Sequence, residues 1–385
     1  MSRTGATVAG GVRFRPTVAE VDLDAIRHNA RRLKPATAEL MAVVKADGYG
    51  HGAVEVSRAA LESGATWLGV ALVEEAIELR NAGIVAPVLV LSEAPAGSEL
   101  DFLGDDITPT VYTDEGVDAL AEAGRREGRE PPIHVKVDTG MHRVGLHPPE
   151  RAVEFVKRAV RLGCRFEGLW THFAKAEDDE ATTRTQLDTF LMVAGRLEAE
   201  GLRPRYLHAA NSAAAILYPE THLDLVRIGV ALYGLDPGNG LADMAGLRPA
   251  LAWRSAVSAV RRLPAGHGIS YGHHYRLDRD TVVATVPVGY ADGYRRGLSP
   301  GAEVLIRGKR RRVAGTVTMD QLMADCRQDD VQPGDEVVLI GTQSEQEVTV
   351  GELAGLVGTI DYEIVCGIGA RVPRTYRGRS PEATA

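Results

Sequence analysis

The sequence predicts an α/β chain, a parallel (β/α)8 barrel followed by a C-terminal all-β domain. Three observations carry this. Eight short apolar runs alternate with helix-like segments from about Val18 onward, which is the rhythm of βα units around a barrel. No G-x-G-x-x-G motif opens the chain, so the open doubly wound sheet is the runner-up architecture. Near Leu247 the texture changes to short β-like runs broken by Gly, Pro and Asp turns, which marks a second domain. The barrel is expected over residues 14–247 and the β domain over residues 248–385, with residues 1–13 packed alongside the latter.

Taken in order, "DLDAIRHNARRL" reads as a capped helix. The eight strand runs are then "ELMAVVKA", "WLGVAL", "PVLVLS", "TPTVYT", "IHVKVDTG", "FEGLWTHFA", "RYLHAAN" and "LDLVRIGV". Between most of them lie amphipathic segments such as "GAVEVSRAALES", "EEAIELRNAG", "DEGVDALAEAGRREG", "PERAVEFVKRAVRLG" and "TRTQLDTFLMVAGRLEAEG". Past "GLRPALAWRSAVSAV" come "TVVATVPVG", "AEVLIRG", "RRVAGTVTMD" and "DEVVLIG".

Composition narrows the function classes. The chain has 385 residues, 44% of them apolar, enough for a sizeable core without disulfides. A net charge of −8 and the lack of a basic face argue against nucleic acid as a partner. Cys164, Cys326 and Cys366 are odd in number and lack C-x-x-C spacing. They are expected to be reduced thiols of a cytoplasmic protein, not a disulfide frame or a metal site. "MSRTGATVAGG" carries no secretory h-region, and no apolar run reaches membrane-spanning length.

Barrel enzymes work at the C-terminal ends of their strands. Lys45 ends the first run, Arg143 follows "IHVKVDTGMH", His172 ends "FEGLWTH", Asn211 and Ser212 follow "RYLHAA", and Arg227 follows "LDLV". Each alone has an ordinary reading. A lysine is a rim residue, a histidine a satisfied core group, an arginine a partner for a nearby carboxylate, a serine a helix cap. The barrel brings them onto one rim, and that convergence changes the reading. A lysine amine in a cleft forms Schiff bases. Ser212, opening "SAAAILY", and the N–H groups of Gly229 and Val230 suit a phosphate. Phosphate plus a Schiff-base lysine suggests pyridoxal 5′-phosphate.

"VVKADGYGHG", "KVDTGMHRVG", "THFA", "NSAA", "RIGVALYG", "SYGHHY", "VGYADGY" and "TMDQ" occur in the order found in alanine racemases, which this chain resembles from about Ala19 to Pro373. The resemblance implies a pyridoxal phosphate enzyme with a barrel and a C-terminal β domain. It interconverts L- and D-alanine in the cytoplasm and supplies D-alanine for peptidoglycan. It implies that Lys45 carries the cofactor, while Tyr49, Ser212, Gly229 and Val230 bind its phosphate. Arg227 faces the pyridine nitrogen with His172 bonded behind it. Arg143 binds the cofactor phenolate and the substrate carboxylate, and Lys136 matches a lysine carbamylated in some members that orients that arginine. Tyr271 is the second base, reaching across from the other subunit of a homodimer together with Met319 and Asp320; Tyr290 supports this region. Without the resemblance, Tyr271, Met319 and Asp320 read as a packing aromatic, core filler and a turn residue, and Tyr290 with Asp292 as a turn.

The chemistry explains the set. Racemisation takes a proton from one face of Cα and returns one to the other, so two bases flanking the reacting plane suffice. The family assigns the lysine to the D-isomer and the tyrosine to the L-isomer. A free tyrosine has a pKa of about 10, so Tyr271 as a base needs cations nearby, with His172 and Arg227 as contributors. An arginine at the ring nitrogen donates a hydrogen bond but hardly a proton. That favours return of the proton to Cα over transamination. Two positions depart from the family: Ala370 in "GIGARVPR" stands where a tyrosine is frequent, and Thr318 where cysteine is frequent. Loss of the tyrosine widens the expected range toward serine. A broader amino-acid racemase, a related decarboxylase and a non-catalytic carrier of the cofactor are the competing readings; the β domain with Tyr271 argues against the carrier.

Overall fold

The computed structural model of the chain describes residues 15–299 and 301–378. They form two compact units. One is Asp24–Pro249; the other joins the described residues up to Leu23 with those from Ala250 onward. The expected packing of residues 1–13 lies outside the described residues.

The first strand of the chain, β1 (Val18–Asp22), pairs with strands from the far end of the sequence. The unit Asp24–Pro249 then carries β2 (Glu39–Val43), β3 (Trp67–Val70), β4 (Val88–Val90), β5 (Thr108–Val111), β6 (Pro132–Lys136), β7 (Arg165–Trp170), β8 (Tyr206–His208) and β9 (Leu225–Ile228). These correspond to the eight runs read from the sequence, and all are parallel in the order 8-7-6-5-4-3-2-9. The ring closes where Asp224 N–H donates to Leu207 C=O at 3.0 Å and Arg227 N–H to Ala210 C=O at 3.1 Å. β3, β4 and β5 are buried along their whole length, as parallel strands covered by helices must be.

The intervening helices follow their sequence signals. In Asp114–Glu127 the Thr113 hydroxyl accepts from Gly116 N–H at 3.0 Å, and Gly128 closes the C-terminus at φ 63°, the cap chemistry such ends require. Arg151–Arg161 buries Ala152, Phe155, Val156 and Ala159, one face at helical spacing. Inside the ring, Met41, Trp67, Leu89, Tyr206 and Leu225 pack together.

The second unit is strand-rich: β10 (Leu251–Ala256), β11 (Ala259–Leu263), β12 (Gly268–Ile269), β13 (Tyr275–Arg276), β14 (Thr281–Val286), β15 (Glu303–Ile306), β16 (Lys309–Arg312), β17 (Leu322–Asp325), β18 (Glu336–Gln343), β19 (Gln346–Val348) and β20 (Arg374–Arg377). Its main sheet runs β16-β15-β18-β10-β1-β20, beside a β11-β14-β17 sheet and the β12-β13 hairpin. It also holds two short helices, Val350–Val357 and Asp361–Cys366.

The boundary expected at residue 14 is corrected here. β1 is antiparallel to β10 and parallel to β20, so it belongs to the second unit. Its burial alternates residue by residue, with Ala19 and Val21 inside. That is the pattern of a one-sided sheet, not of a barrel strand.

Two glycines test the packing. A Cβ on Gly168 would fall 2.4 Å from Nδ1 of the buried His134, whereas one on Gly195, inside helix Glu180–Ala199, meets nothing within 4 Å. Gly168→Ala is expected to destabilise the fold by about 1–3 kcal/mol. Gly195→Ala is expected to stabilise it by about 0.4–1 kcal/mol. Denaturant unfolding midpoints check both signs.

Candidate active site

Lys45 follows directly on the β2 ladder, which Val44 N–H extends by donating to Gly69 C=O at 2.8 Å. The chain then turns left-handed. Ala46, Asp47, Gly48, Tyr49 and Gly50 all have positive φ, between 51° and 76°. Gly48 N–H bonds Val44 C=O at 2.8 Å and Gly50 N–H bonds Ala46 C=O at 2.9 Å. Each non-glycine residue in this conformation costs about 1–2 kcal/mol, so the surroundings must hold the turn. Glu75 does so. One carboxylate oxygen accepts from Ala46 N–H at 2.6 Å, the other from Ala71 N–H at 2.8 Å. Asp47 adds a bond from Ala53 N–H at 2.9 Å.

The turn delivers Tyr49 to β9. A Cβ on Gly229 would sit 2.6 Å from the Tyr49 hydroxyl, so only glycine permits this approach. The Tyr49 ring lies 4.9 Å from that of Tyr233, whose hydroxyl donates to Val43 C=O at 2.9 Å. On the other side, the Ser212 hydroxyl accepts from Gly229 N–H at 3.0 Å and Ala231 N–H at 3.5 Å. Ser212 is not the helix cap. Asn211 takes that role, accepting from Ala214 N–H at 3.0 Å, which frees the serine hydroxyl to point at the β9 end. Tyr49, Ser212, Gly229 and Val230 thus meet at one corner of the rim.

Arg227 lies across the barrel interior, 4% exposed. Its Nη1 donates to His208 C=O at 3.0 Å and meets His208 Nδ1 at 3.2 Å. Its Nη2 donates to Thr171 C=O at 2.7 Å and Ala209 C=O at 2.9 Å, and meets His172 Nδ1 at 3.3 Å. The guanidinium also stands over the Trp170 indole, 4.8 Å from its centroid. Burial lowers Arg227 to about 9, which leaves it cationic at neutral pH.

An arginine only donates, so these contacts fix the histidine tautomers. His208 accepts at Nδ1 and carries its proton on Nε2, from which it donates to His134 Nδ1 at 3.0 Å. His134 then presents Nε2–H toward Glu167, 3.8 Å away. Burial drives His134 down to about 3 and His208 and His172 well below their ordinary value, with the Arg227 charge acting in the same sense. His172 is therefore neutral. The expectation that it lends positive charge to a tyrosine base is corrected on that ground.

Lys136, 2% exposed, sits at the end of β6 with Nζ 4.3 Å from the same Trp170 ring. Burial, then the charges of Arg143 and Arg227, push it down to about 7, with Lys45 contributing and Asp138 opposing. Lys45, Arg143 and Arg227 thus all act electrostatically on Lys136 at the strand ends.

The remaining candidates lie in the second unit. Tyr271 is 73% exposed and opens the turn Tyr271–His273; its C=O accepts from the Thr316 hydroxyl at 3.1 Å. It shares a concavity with Thr318 and Gln321. Tyr290 N–H donates to Thr318 C=O and Ala291 N–H to Met319 C=O, both at 3.0 Å, so these two loops are one assembly. Arg371 links Asp320 (2.8 Å) to the buried Asp292 (3.5 Å). Ala370 is exposed. Sequence reading missed Glu75, Trp170, His134 and His208. None carries a local signal, because each acts through a partner far along the chain.

Two family models match. The one described as "Alanine racemase, N-terminal domain" covers residues 21–237, and "Alanine racemase, C-terminal domain" covers residues 250–376. Among curated relatives, the alanine racemase of Symbiobacterium thermophilum is 51% identical over 372 residues, covering 95% of this chain and 98% of the relative. That of Carboxydothermus hydrogenoformans is 45% identical over 369 residues, covering 94% of this chain and 100% of the relative. Among solved structures, alanine racemase from D-cycloserine-producing Streptomyces lavendulae superposes with a TM-score of 0.92 at 42% identity, over 97% of this chain and 100% of that one. The Bacillus anthracis alanine racemase with bound L-Ala-P gives 0.89 at 37%, over 95% and 96%.

The buried histidines give a test with a definite sign. Their folded values lie below the ordinary value of about 6.5, so the unfolded chain binds protons first on acidification. Stability is expected to fall as pH drops below about 6.5. Nitrogen-15 NMR of histidine-labelled protein is expected to find His134, His172 and His208 neutral at about pH 5, with His208 protonated on Nε2. An imidazolium signal from any of the three at that pH contradicts the network.

Proposed function

The chain belongs to the alanine racemase family and is an amino-acid isomerase; on that premise we propose that it interconverts L- and D-alanine with two proton-transferring side chains, Lys45 and Tyr271, and pyridoxal 5′-phosphate as cofactor. The observation that carries this is the convergence of Lys45, Arg143 and Arg227 on Lys136, where burial and their charges hold it near a pKa of about 7. Such a set calls for an anionic ligand. Pyridoxal phosphate and an amino acid bring a phosphate, a phenolate and a carboxylate. The Gly229 corner fits the same group, since a Cβ there would collide with the Tyr49 hydroxyl.

In this reading Lys45 holds the cofactor carbonyl carbon. Tyr49, Ser212 and the N–H groups of Gly229 and Val230 hold the phosphate. Arg227 aims its Nε–H at the ring nitrogen, since its five hydrogen bonds all come from the two Nη atoms, and His172 fixes it from behind. When bound, the cofactor supplies the electron-withdrawing ring that acidifies the substrate Cα–H.

Arg143 orients the substrate carboxylate. Lys45 Nζ exchanges a proton with one face of Cα and Tyr271 Oη with the other, the lysine serving the D-isomer and the tyrosine the L-isomer. Tyr271 has its phenolate stabilised by the Arg227 charge. Lys136, orienting Arg143, is carbamylated: its neutral amine adds to CO2 and releases one proton, giving an anion between cations.

Tyr271 serves the site of a second copy, with Met319 and Asp320, in a homodimer. Exposures of 73% for Tyr271, 53% for Met319 and 43% for Tyr290 support this, because large exposed groups sharing a face mark an interaction surface. The exposed Ala370 leaves room for modest turnover of serine. We assign the enzyme to the cytoplasm as a source of D-alanine for peptidoglycan. Cys164 and Cys326 are buried free thiols, and among the described residues no helix is long and apolar enough to cross a membrane.

The two-base reading is tested with L-alanine in D2O. Deuterium is expected at Cα of the D-alanine formed; retention of the original hydrogen in the product contradicts it. Tyr271→Phe is expected to lower kcat by about 10²–10⁴-fold, and an unchanged kcat removes Tyr271 from the reaction. For Lys136, protein incubated with ¹³C-bicarbonate is expected to give a carbamate ¹³C resonance that weakens as pH falls through about 7 and is lost in Lys136→Arg. No such resonance at any pH rules the modification out.

A further inference from the structure

Asp138, His142 and His147 lie in the loop that leaves β6. The loop is closed on itself: Asp138 N–H donates to Leu146 C=O at 3.0 Å, and Leu146 N–H to Lys136 C=O at 2.9 Å. Its return requires Gly145 at φ 128°, where a Cβ would lie 2.9 Å from Asp138 N. The buried Asp138 carboxylate is fixed by three backbone donors, since Oδ1 accepts from Gly140, Met141 and His142 N–H, each at 3.0 Å. Its other oxygen therefore has a set direction, toward His142. His142 itself is held at φ 54°, a left-handed conformation that costs a non-glycine residue about 1–3 kcal/mol and collects at functional sites.

The distances suit a metal better than a hydrogen bond. Asp138 Oδ2 and His142 Nδ1 are 3.4 Å apart, beyond the ordinary hydrogen-bond range of about 2.7–3.2 Å. Two ligands of a tetrahedral ion with bonds of about 2.0–2.1 Å stand about 3.3–3.4 Å apart. The His147 ring stands edge-on to that of His142, with centroids 5.6 Å apart and planes at 85°. One ligand atom from each of the three residues lies within 4.8 Å of the others. Asp138 is buried and both imidazoles are solvent-facing, so an ion can enter. An ion pair between Asp138 and protonated His142 would explain two of these residues but gives His147 no part.

We propose that Asp138, His142 and His147 bind one divalent ion of the zinc class, with water completing a tetrahedron. Two imidazoles and one carboxylate select late first-row transition ions over Mg²⁺ or Ca²⁺, which take oxygen ligands. Arg143 follows His142 directly, so the ion would also stiffen the segment that carries this side chain. That effect on substrate binding rests on the role given to Arg143 above; the metal binding does not.

The test is calorimetric titration of the cofactor-loaded, chelator-treated enzyme with Zn²⁺ and separately with Mg²⁺. One Zn²⁺ per chain is expected and no Mg²⁺. His147→Gln is exposed and outside the proposed catalytic groups, so it keeps metal-free racemase activity. It is expected to weaken Zn²⁺ binding by about tenfold or more. Absence of stoichiometric Zn²⁺ binding, or binding by His147→Gln and His142→Asn as tight as that of the parent, overturns the site. Saturating Zn²⁺ is expected to shift KM for alanine in the parent enzyme and not in His147→Gln; a KM that does not move overturns the coupling to Arg143 while the titration still decides the site.

Discussion

Arg227 is buried in the barrel as a cation, and among the described residues it has no carboxylate partner. An ion taken out of water costs several kcal/mol unless its donors are met. Here the strand ends meet them. Carbonyls of Thr171, His208 and Ala209 converge on the two Nη atoms, the Trp170 indole covers one face, and His172 and His208 accept the rest. The parallel register that sets Trp170 beside His208 is what brings those carbonyls together. Both histidines must stay neutral to accept, and their tautomers follow. One buried charge thus orders a chain of groups through His208 to His134.

The rest of the rim is built around that charge. Lys45 is displayed by a left-handed turn that the local sequence disfavours and that Glu75 and Asp47 hold by capping Ala46 and Ala53. Tyr49 reaches β9 only because residue 229 has no side chain. Lys136 shares the Trp170 ring with Arg227 and loses proton affinity to burial and to its cationic neighbours. A lysine held near neutrality beside three other cations is chemically different from one on the surface: its amine is a nucleophile at ordinary pH.

The barrel was legible because its eight apolar runs are short and strong, alternate with helical segments, and end in polar residues. Lys45, His172, Ser212 and Arg227 were readable as rim residues from that rule alone. What sequence could not supply was pairing. β1 looks like the start of the barrel yet binds β10 and β20, more than 200 residues away, and only its alternating burial betrays this. Ser212 looked like a cap because it precedes a helical run. Asn211 is the better cap, and that displacement gives the serine hydroxyl its direction. Trp170 and His134 lie within apolar runs and are buried; the contacts Trp170 makes with Arg227 and Lys136 come only through folding. The roles of Tyr271, Met319 and Asp320 came from the family resemblance, since nothing in their local spacing points to chemistry.

In the proposed function Arg227 faces the ring nitrogen of the bound cofactor, where its guanidinium would offer a hydrogen bond and withhold a proton, so that the electron sink would stay weak and the proton would return to Cα. The most direct test is the ¹⁵N chemical shift of the ring nitrogen in enzyme reconstituted with ¹⁵N-labelled pyridoxal phosphate, read against Arg227→Glu. An unprotonated, hydrogen-bonded nitrogen in the parent that becomes protonated in the variant is the predicted result. A pyridinium shift in the parent enzyme would contradict it.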